Sequence, residues 1–179
     1  MAEATAGKIW SARFEGVKPQ PKPVATAVTI ESAMESDLSA VEGLLAEAGL
    51  PTDVALHFVD FLVARHRGKV VGCGGMEVRG TDALFRSLAV SPAYRGVGLG
   101  WRLYEALVGR ARQKDVERAY LLTTTIAPLA VSWGFQRMDR DKVPATIRDT
   151  TQFRGACCGS AVAMWQDLRA QASKSSSCS

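Results

Sequence analysis

Three glycines stand within five positions at residues 96–100, inside the stretch SLAVSPAYRGVGLGWRL (residues 87–103). An apolar, strand-like run precedes Pro92, and a helical period of apolar residues follows the glycines. The first N–H groups of a helix have no partners within the helix, and the helix dipole makes this end positive, so it attracts anions. Glycine lets a phosphate approach the backbone without Cβ atoms in the way. The stretch therefore predicts a strand–turn–helix unit that cradles a diphosphate, with Arg95 at its rim.

The rest of the chain predicts a mixed sheet flanked by helices. Short apolar runs between turn residues are typical of strands, and apolar residues at three- and four-residue spacing are typical of helices. A β-meander is predicted in the middle of the chain, so we expect a three-layer α/β fold. The predicted strands are 24–30, 61–65, 70–78, 84–90, 119–123, 135–139 and 160–168, and the predicted helices are 36–48 (capped by Ser36), 98–114 and 126–134.

Composition favours one globular domain. The 179 residues are 47% hydrophobic and 22% charged, and their net charge is +4. No apolar run approaches the ~18 residues of a membrane helix, so we expect no membrane association. There is no Lys/Arg run interleaved with aromatic residues, so nucleic-acid binding is not expected either. The adjacent pair Cys157–Cys158 suits neither a disulfide framework nor a zinc site, which predicts reduced thiols in a cytoplasmic protein and no metal.

The two ends of the chain differ from its middle. Residues 1–23 lack the apolar segment of a secretory signal and end in VKPQPKP, which is typical of a linker. The last residues are of low complexity and end in SKSSSCS. We therefore expect a flexible N-terminal extension (1–23), one domain (24–168) and a disordered tail (169–179).

The spacing of the glycines distinguishes between kinds of phosphate site. The run GVGLG does not match the G-x-G-x-x-G dinucleotide fingerprint, and it lacks the Gly-Lys-Ser/Thr ending of a P-loop. The phrase RGVGLG (95–100) after LAVSP (88–92) resembles the acetyl-CoA signature of the GNAT superfamily of N-acetyltransferases. The resemblance covers residues 24–168. It implies an α/β fold with a mixed, mostly antiparallel sheet flanked by helices, and direct transfer of acetyl from acetyl-CoA to an amine.

The resemblance also implies which residues hold acetyl-CoA. Backbone amides of residues 97–101 would hold the pyrophosphate, and the strand before them would pair with pantetheine. The amide of Leu88 would polarise the acetyl carbonyl, which gives Leu88 a catalytic part. The implied cofactor-binding residues are Leu88, Ala89, Val90, Arg95, Gly96, Val97, Gly98, Leu99, Gly100 and Trp101.

Proton transfer is less clearly specified by the sequence. The tyrosine that usually protonates the leaving thiolate in this superfamily corresponds here to Ala130, which leaves Ser132, a water or no acid at all. Glu77 is the candidate base, on a strand that should neighbour Arg86, and a solvated strand-end glutamate is the alternative. His57 could relay a proton, since histidine titrates near physiological pH, or it could be merely structural.

The last third of the chain narrows the resemblance to two groups. The pattern LLTTT…GF…VP…TQF…CCGS is similar to that of N-acetyltransferases linked to arsenic-resistance operons, and more distantly to the acetyltransferase domain of N-acetylglutamate synthase. Both imply a small amino-acid-like amine as acceptor, for which an arginine fork would bind the carboxylate. The candidate substrate-binding residues are Arg86, Thr150, Gln152 and Cys157.

Other interpretations stay open at this stage. The chain could bind acetyl-CoA as a regulatory module without turnover, or acetylate proteins or peptides. Cys157 and Cys158 could bind trivalent arsenic, although no histidine or acid completes a ligand set. Trp101 and Trp165 could stack on the cofactor or on a partner subunit, so a homodimer remains an alternative.

Overall fold

The computed structural model describes residues 27–155 and 161–169. The predicted N-terminal extension, most of the predicted tail and the segment with Cys157 and Cys158 lie outside the described residues. The strands are β1 (Thr29–Ser32), β2 (Phe61–His66), β3 (Lys69–Arg79), β4 (Asp82–Val90), β5 (Arg118–Thr123), β6 (Gln136–Met138) and β7 (Val162–Asp167). The helices are α1 (Leu38–Glu47), α2 (Leu99–Gln113), α3 (Ala127–Ser132), α4 (Ala145–Arg148) and α5 (Thr151–Gly155). Short 3-10 turns lie at Glu35–Asp37, Ala55–Asp60, Pro92–Tyr94 and Arg140–Lys142.

The strands form one sheet in the order β1-β2-β3-β4-β5-β7-β6. Neighbouring strands are antiparallel except β4 and β5, which run parallel. A parallel pair needs a crossover connection, and α2 provides it. The strands β2, β3 and β4 form the predicted meander, and β6 lies at the edge as the sequence indicates. The predicted mixed, mostly antiparallel sheet is confirmed.

Helices α1 and α2 cover opposite faces of the sheet. In β2, Leu62 and Ala64 belong to the core cluster with α2, whereas Phe61 and Val63 belong to the cluster with α1. This alternation follows from the two-residue period of a strand. Each face of the sheet therefore has its own apolar layer, and the three-layer arrangement predicted from the sequence is correct.

Most strand and helix boundaries agree with those predicted from the sequence. Strands β2 to β5 and helices α2 and α3 begin and end within two residues of their predicted limits. The first strand begins later than predicted, at Thr29. The prediction of Ser36 as helix cap is wrong, because Asp37 precedes α1 and its carboxylate accepts a hydrogen bond from the Met34 N–H at 3.0 Å. Asp37 also pairs with Arg65 at 2.9 Å, a contact across 28 residues that local patterns do not reveal.

None of the helices within residues 27–155 and 161–169 is both long enough and apolar enough to cross a bilayer.

Gly75 in β3 offers a test of the packing between the sheet and α1. A Cβ at Gly75 would lie 2.2 Å from Cε2 of the fully buried Phe61, its partner in β2. We expect Gly75→Ala to lower the free energy of unfolding in urea by about 1–3 kcal/mol, because the Phe61 ring must move in a packed core. Gly43→Ala, in the exposed face of α1 with nothing within 4 Å, should instead raise it by about 0.5–1 kcal/mol. Equal effects of the two variants would contradict this packing.

Candidate functional site

The parallel strands β4 and β5 pair only over part of their length. Their register runs from Asp82 opposite Arg118 to Phe85 opposite Leu121 and then stops. From Arg86 onward, β4 is paired with β3 on one side only. The two strands therefore splay apart and leave an opening between their carboxyl ends.

A bulge in β4 begins at the same point. In the pairing of β3 with β4, Gly75 lies opposite Arg86 and Cys73 lies opposite Ala89. Two residues of β4, Ser87 and Leu88, therefore stand opposite the one β3 residue that separates Cys73 from Gly75. Ser87 has a φ of 58°, in the left-handed region that non-glycine residues rarely adopt. A bulge bends its strand and redirects the backbone. The backbone of β4 is thereby turned toward the opening.

The glycine-rich turn after β4 forms the start of α2. Gly96 and Gly98 have φ values of 75° and 80°, which explains why glycine is needed at these two positions. Gly98 is the N-cap of α2, and no described side chain caps the helix. The first helical bond is donated by Arg102 to Gly98, so the amides before Arg102 have no partners within the helix. A Cβ atom placed on Gly96, Gly98 or Gly100 would have no other atom within 4 Å, so the space beside these glycines is open. These features fit an anionic group such as a diphosphate.

A cavity of about 620 Å³ joins the glycine turn to the splayed strands. All the predicted cofactor-binding residues line it except Val97, which packs half-buried against the core on the α2 side. Arg95 lies at the rim and donates from Nε to the Val90 carbonyl at 2.9 Å. Trp101 is 40% exposed, and its ring lies 6.1 Å from that of Trp133 at an angle of 56°; Trp133 also lines the cavity. The structure thus brings together a segment that the sequence marked as one unit.

The other end of the cavity is formed by residues from distant segments. Ala48 and Leu50 follow α1, Arg86 comes from β4, and Gln152 comes from α5. Ala48 and Leu50 were not predicted as site residues, and only their position after a helix could have suggested them. Arg86 and Gln152 were predicted, and both lie on the cavity wall.

Arg86 belongs to a buried group of charges. Its Nη1 donates to Glu77 Oε1, and both side chains are fully shielded from solvent. Glu77 Oε2 lies 3.4 Å from His57 Nε2 and 3.4 Å from Arg79 Nη2. Nη2 of Arg86 donates to Asp53 Oδ1 at 3.2 Å. Glu77 is therefore the buried partner of Arg86 rather than a solvated strand-end glutamate.

Glu77 and His57 lie behind Arg86 and are not among the described residues that line the cavity. A base must reach the proton that it removes directly or through one water. The geometry gives Glu77 a defined contact with Arg86, and the basic roles of Glu77 and His57 stay predictions.

Gln152 and Thr150 differ in what they contact. The Thr150 hydroxyl donates to the Ile147 carbonyl at 2.7 Å and accepts from the Phe153 N–H at 3.4 Å, so it satisfies local backbone groups at the start of α5. By contrast, Oε1 of Gln152 is buried without a hydrogen-bond partner in the described part of the chain. Buried polar atoms are rarely left unpaired. Gln152 therefore has an acceptor available to a ligand in the cavity.

Neither α3 position that could supply an acid for the leaving thiolate offers a free acidic group. Ala130, at the position of the missing tyrosine, is fully buried in the core. The Ser132 hydroxyl donates to the Leu129 carbonyl at 2.6 Å on the exposed side of α3. Tyr94 does line the cavity, and its hydroxyl lies 2.7 Å from Nδ1 of His66, which is half-buried rather than freely solvated. Sequence patterns do not predict this pair, because it joins the last residue of β2 to a 3-10 turn 28 residues later.

Cys73 is buried on the face covered by α1. Its thiol donates weakly to the Ser87 carbonyl at 3.4 Å, and burial raises the pKa of Cys73 to about 12. Within residues 27–155 and 161–169, no group of three potential ligands could hold a metal ion. Cys73 is thus a structural thiol in the bulge region.

Comparison with protein families identifies one match. A sequence model described as the acetyltransferase (GNAT) family matches residues 32–137 of this chain. An amino-acid acetyltransferase of Mycobacterium tuberculosis is 35% identical over 94 residues, which are 50% of this chain and 53% of that protein. An amino-acid acetyltransferase of Neisseria meningitidis is 28% identical over 101 residues, 55% of this chain and 23% of that protein. The chain thus spans about half or less of the length of these curated relatives.

Solved structures share the fold at low identity. N-acetylglutamate synthase from Neisseria gonorrhoeae, complexed with coenzyme A and N-acetyl-glutamate, has a TM-score of 0.69 and 24% identity, over 79% of this chain and 35% of that chain. A Mycobacterium tuberculosis protein in complex with CoA has a TM-score of 0.66 and 24% identity, over 78% of this chain and 98% of that chain. The ribosomal-protein-S18-alanine N-acetyltransferase from Escherichia coli has a TM-score of 0.61 and 22% identity, over 79% of this chain and 94% of that chain.

The raised pKa of Cys73 predicts slow alkylation of the folded protein. With a pKa of about 12, only about one thiol in ten thousand is ionised at pH 8, against roughly one in four for an ordinary cysteine. We expect iodoacetamide to label Cys73 at least a hundredfold more slowly in the native chain than in urea, measured by peptide mass spectrometry. Equal labelling rates in the two conditions would contradict the burial of this thiol.

Proposed function

Because this chain belongs to the acetyltransferase (GNAT) family, we propose that it is an acetyl-CoA-dependent N-acetyltransferase that acts on the amine of a small amino-acid-like acceptor. One observation supports this proposal above the others. A single cavity connects the glycine-rich start of α2, the splayed backbone of β4, and the residues Arg86 and Gln152. A cofactor and an acceptor can therefore meet in one space.

The glycine turn forms the cofactor end. The unpartnered amides at the start of α2 would hold the pyrophosphate, and the open Cβ positions of Gly96, Gly98 and Gly100 leave room for its oxygens. The guanidinium of Arg95 adds positive charge at the rim. The backbone of residues 88–90, left without a partner in β5, would pair with the pantetheine arm.

The bulge places main-chain donors where the reaction occurs. When bound, acetyl-CoA supplies the acetyl group as a thioester. The amide of Leu88 would donate to the acetyl carbonyl oxygen, where negative charge develops as the amine attacks. Because Ala130 stands in place of a tyrosine and is buried, the chain offers the departing thiolate no acid from α3. The modest basicity of a thiolate allows it to leave without one.

Arg86 and Gln152 form the acceptor end. We assign the acceptor's carboxylate to the guanidinium of Arg86, since a planar fork of N–H donors matches the two carboxylate oxygens. Oε1 of Gln152 would accept a hydrogen bond from the acceptor's amine and so orient its lone pair. Glu77 would hold Arg86 in place and, with His57, is the candidate route for the proton that the amine must lose. Cys157 is retained as a candidate acceptor contact.

We also propose that the acceptor can be an arsenic-bearing amino-acid analogue. This proposal rests on the sequence pattern TQF…CCGS, which is similar to that of acetyltransferases linked to arsenic resistance. Gln152, within that pattern, lies on the cavity wall. The named relatives are amino-acid acetyltransferases, which favours an amino-acid-like acceptor.

Two glycines of α2 provide a matched test of the cofactor end. Gly100 lies in the first turn on the cavity wall, whereas Gly109 lies on the exposed side of the same helix, and neither Cβ would meet an atom within 4 Å. We expect Gly100→Glu to weaken acetyl-CoA binding at least tenfold by calorimetry, because a carboxylate would face the diphosphate. Gly109→Glu should bind within about twofold of the unaltered chain.

The same proteins then test the activity. Released thiol is measured with acetyl-CoA and a panel of amino acids, arsenic-bearing amino acids, polyamines and peptides. We expect turnover with amino-acid-like acceptors for the unaltered chain and for Gly109→Glu. Cofactor binding without turnover of any acceptor would instead favour a regulatory module, and turnover of peptides alone would favour a protein acetyltransferase.

Gln152 offers a test that separates function from stability. Gln152→Met removes a buried acceptor that has no partner among the described residues, so we expect the free energy of unfolding to rise by about 1 kcal/mol. The KM for the acceptor should rise about five- to tenfold, because the amine loses a hydrogen bond. Gln136→Met, on the exposed edge strand β6, is the control and should change neither quantity. An unchanged acceptor KM in Gln152→Met would remove Gln152 from the site.

A further inference from the structure

The guanidinium of Arg86 is only partly satisfied by the described residues. Nη1 donates to Glu77, and Nη2 donates to Asp53 Oδ1 at 3.2 Å and more weakly to the Asp53 carbonyl at 3.5 Å. Nε is buried and has no hydrogen-bond partner in the described part of the chain. A buried donor of a charged group is costly to leave unpaired. Arg86 is among the residues that line the cavity, but its side chain is fully shielded from solvent. A ligand that supplies the missing partner must therefore displace a residue that covers the guanidinium.

The unsatisfied donor lies on one edge of the guanidinium. Nε and Nη2 present parallel N–H groups that match the two oxygens of a carboxylate, and Glu77 occupies the other side through Nη1. Asp53 contacts Nη2 alone. The edge that best suits a carboxylate is therefore only half used.

The two carboxylates around Arg86 differ in exposure. Glu77 is fully buried on β3, whereas the Asp53 side chain is 51% exposed. Asp53 lies between α1 and the 3-10 turn Ala55–Asp60, three residues after Leu50, which lines the cavity. The Asp53 carboxylate is already half in water, so it regains most of its hydration readily when another carboxylate takes its place on Arg86. Glu77 is thus a permanent partner of Arg86, and Asp53 is one that can be replaced.

We propose that Asp53 sets the affinity for the acceptor by competing with the acceptor's carboxylate for Arg86. This inference rests on the proposed function for its meaning and deepens it. In the free protein Asp53 holds Nη2, and an acceptor's carboxylate takes Nη2 and Nε together and releases Asp53. Only an acceptor with a carboxylate of its own can replace the negative charge of Asp53 beside Arg86. A neutral amine therefore leaves Asp53 in place. Asp53 thereby lowers the affinity of Arg86 for the acceptor's carboxylate and keeps the guanidinium paired when no acceptor is bound.

A binding experiment tests the competition without requiring turnover. Propionate, a minimal carboxylate, and propionamide, its uncharged counterpart, are titrated into the full chain while the Nε–H resonance of Arg86 is followed by NMR. The resonance is assigned by its loss in Arg86→Lys. We expect propionate to shift this resonance and to bind about three- to tenfold more tightly to Asp53→Asn and Asp53→Ala, with the larger effect in Asp53→Ala. Propionamide should have no such effect.

Asp139 supplies the matched control. It forms an exposed ion pair with Lys142 at 2.8 Å, so Asp139→Asn removes the same charge from the surface and should leave propionate binding unchanged. Tighter propionate binding in both Asp53 variants but not in Asp139→Asn would support the competition. Weaker or equal binding in the Asp53 variants would overturn it, because a residue that merely braces its segment does not oppose the ligand.

The acceptor assay separates this inference from the proposed function. With an acceptor that the thiol-release panel identifies, the Asp53 variants should lower the acceptor KM about three- to tenfold and leave acetyl-CoA binding unchanged. A raised KM in an active enzyme would overturn the role of Asp53 while the transferase proposal stands. If no acceptor is turned over, the transferase proposal fails, and the NMR titration still decides whether Asp53 and a carboxylate compete for Arg86.

Discussion

The loss of pairing between β4 and β5 after Phe85 determines the rest of the site. Up to that residue β4 is a central strand with partners on both sides, and beyond it only β3 remains. The bulge at Ser87 and Leu88 begins at the same point and turns the backbone. Since the sheet cannot close there, main-chain donors that a regular sheet would consume stay accessible along the cavity. The start of α2 then adds a second set of free amides at the end of the same strand.

The buried pair of Arg86 and Glu77 is the second constraint on the site. Two buried charges lose much hydration, and a pair of this kind contributes little net stability compared with apolar packing. The Arg86–Glu77 pair lies on the α1 face of the sheet, between two apolar clusters. One cluster contains Phe61 and the other contains Leu84. The pair replaces apolar packing at the centre of the sheet, and Glu77 fixes the direction of the Arg86 guanidinium. A fixed guanidinium suits the carboxylate binding that we propose for Arg86.

Sequence patterns predicted the parts of this structure that depend on local order. The meander, α2, the glycine turn and the membership of the GNAT family were predicted and are confirmed, because each depends on residues close together in the chain. The bulge was not predicted, since Ser87 carries no signal for a left-handed φ. Helices α4 and α5 are too short to show a helical period, and sequence patterns predict no helix there. Asp53 meets Arg86 across 33 residues, and such a contact exists only after folding.

The two ends of the cavity therefore differ in how they can change. The proposed cofactor end comes from one continuous stretch and would bind through main-chain groups, so many side chains there can vary while the glycines remain. The proposed acceptor end combines Leu50, Arg86 and Gln152 from three distant segments and would bind through side chains. A substitution at Leu50 or Gln152 can change the acceptor end without disturbing the cofactor end, because the sheet and α2 do not depend on these side chains. Arg86 is different, because its loss would leave Glu77 buried and unpaired. This separation explains why the sequence identifies the family readily: the glycine signature lies in one continuous stretch, whereas the other end of the cavity is assembled only by folding.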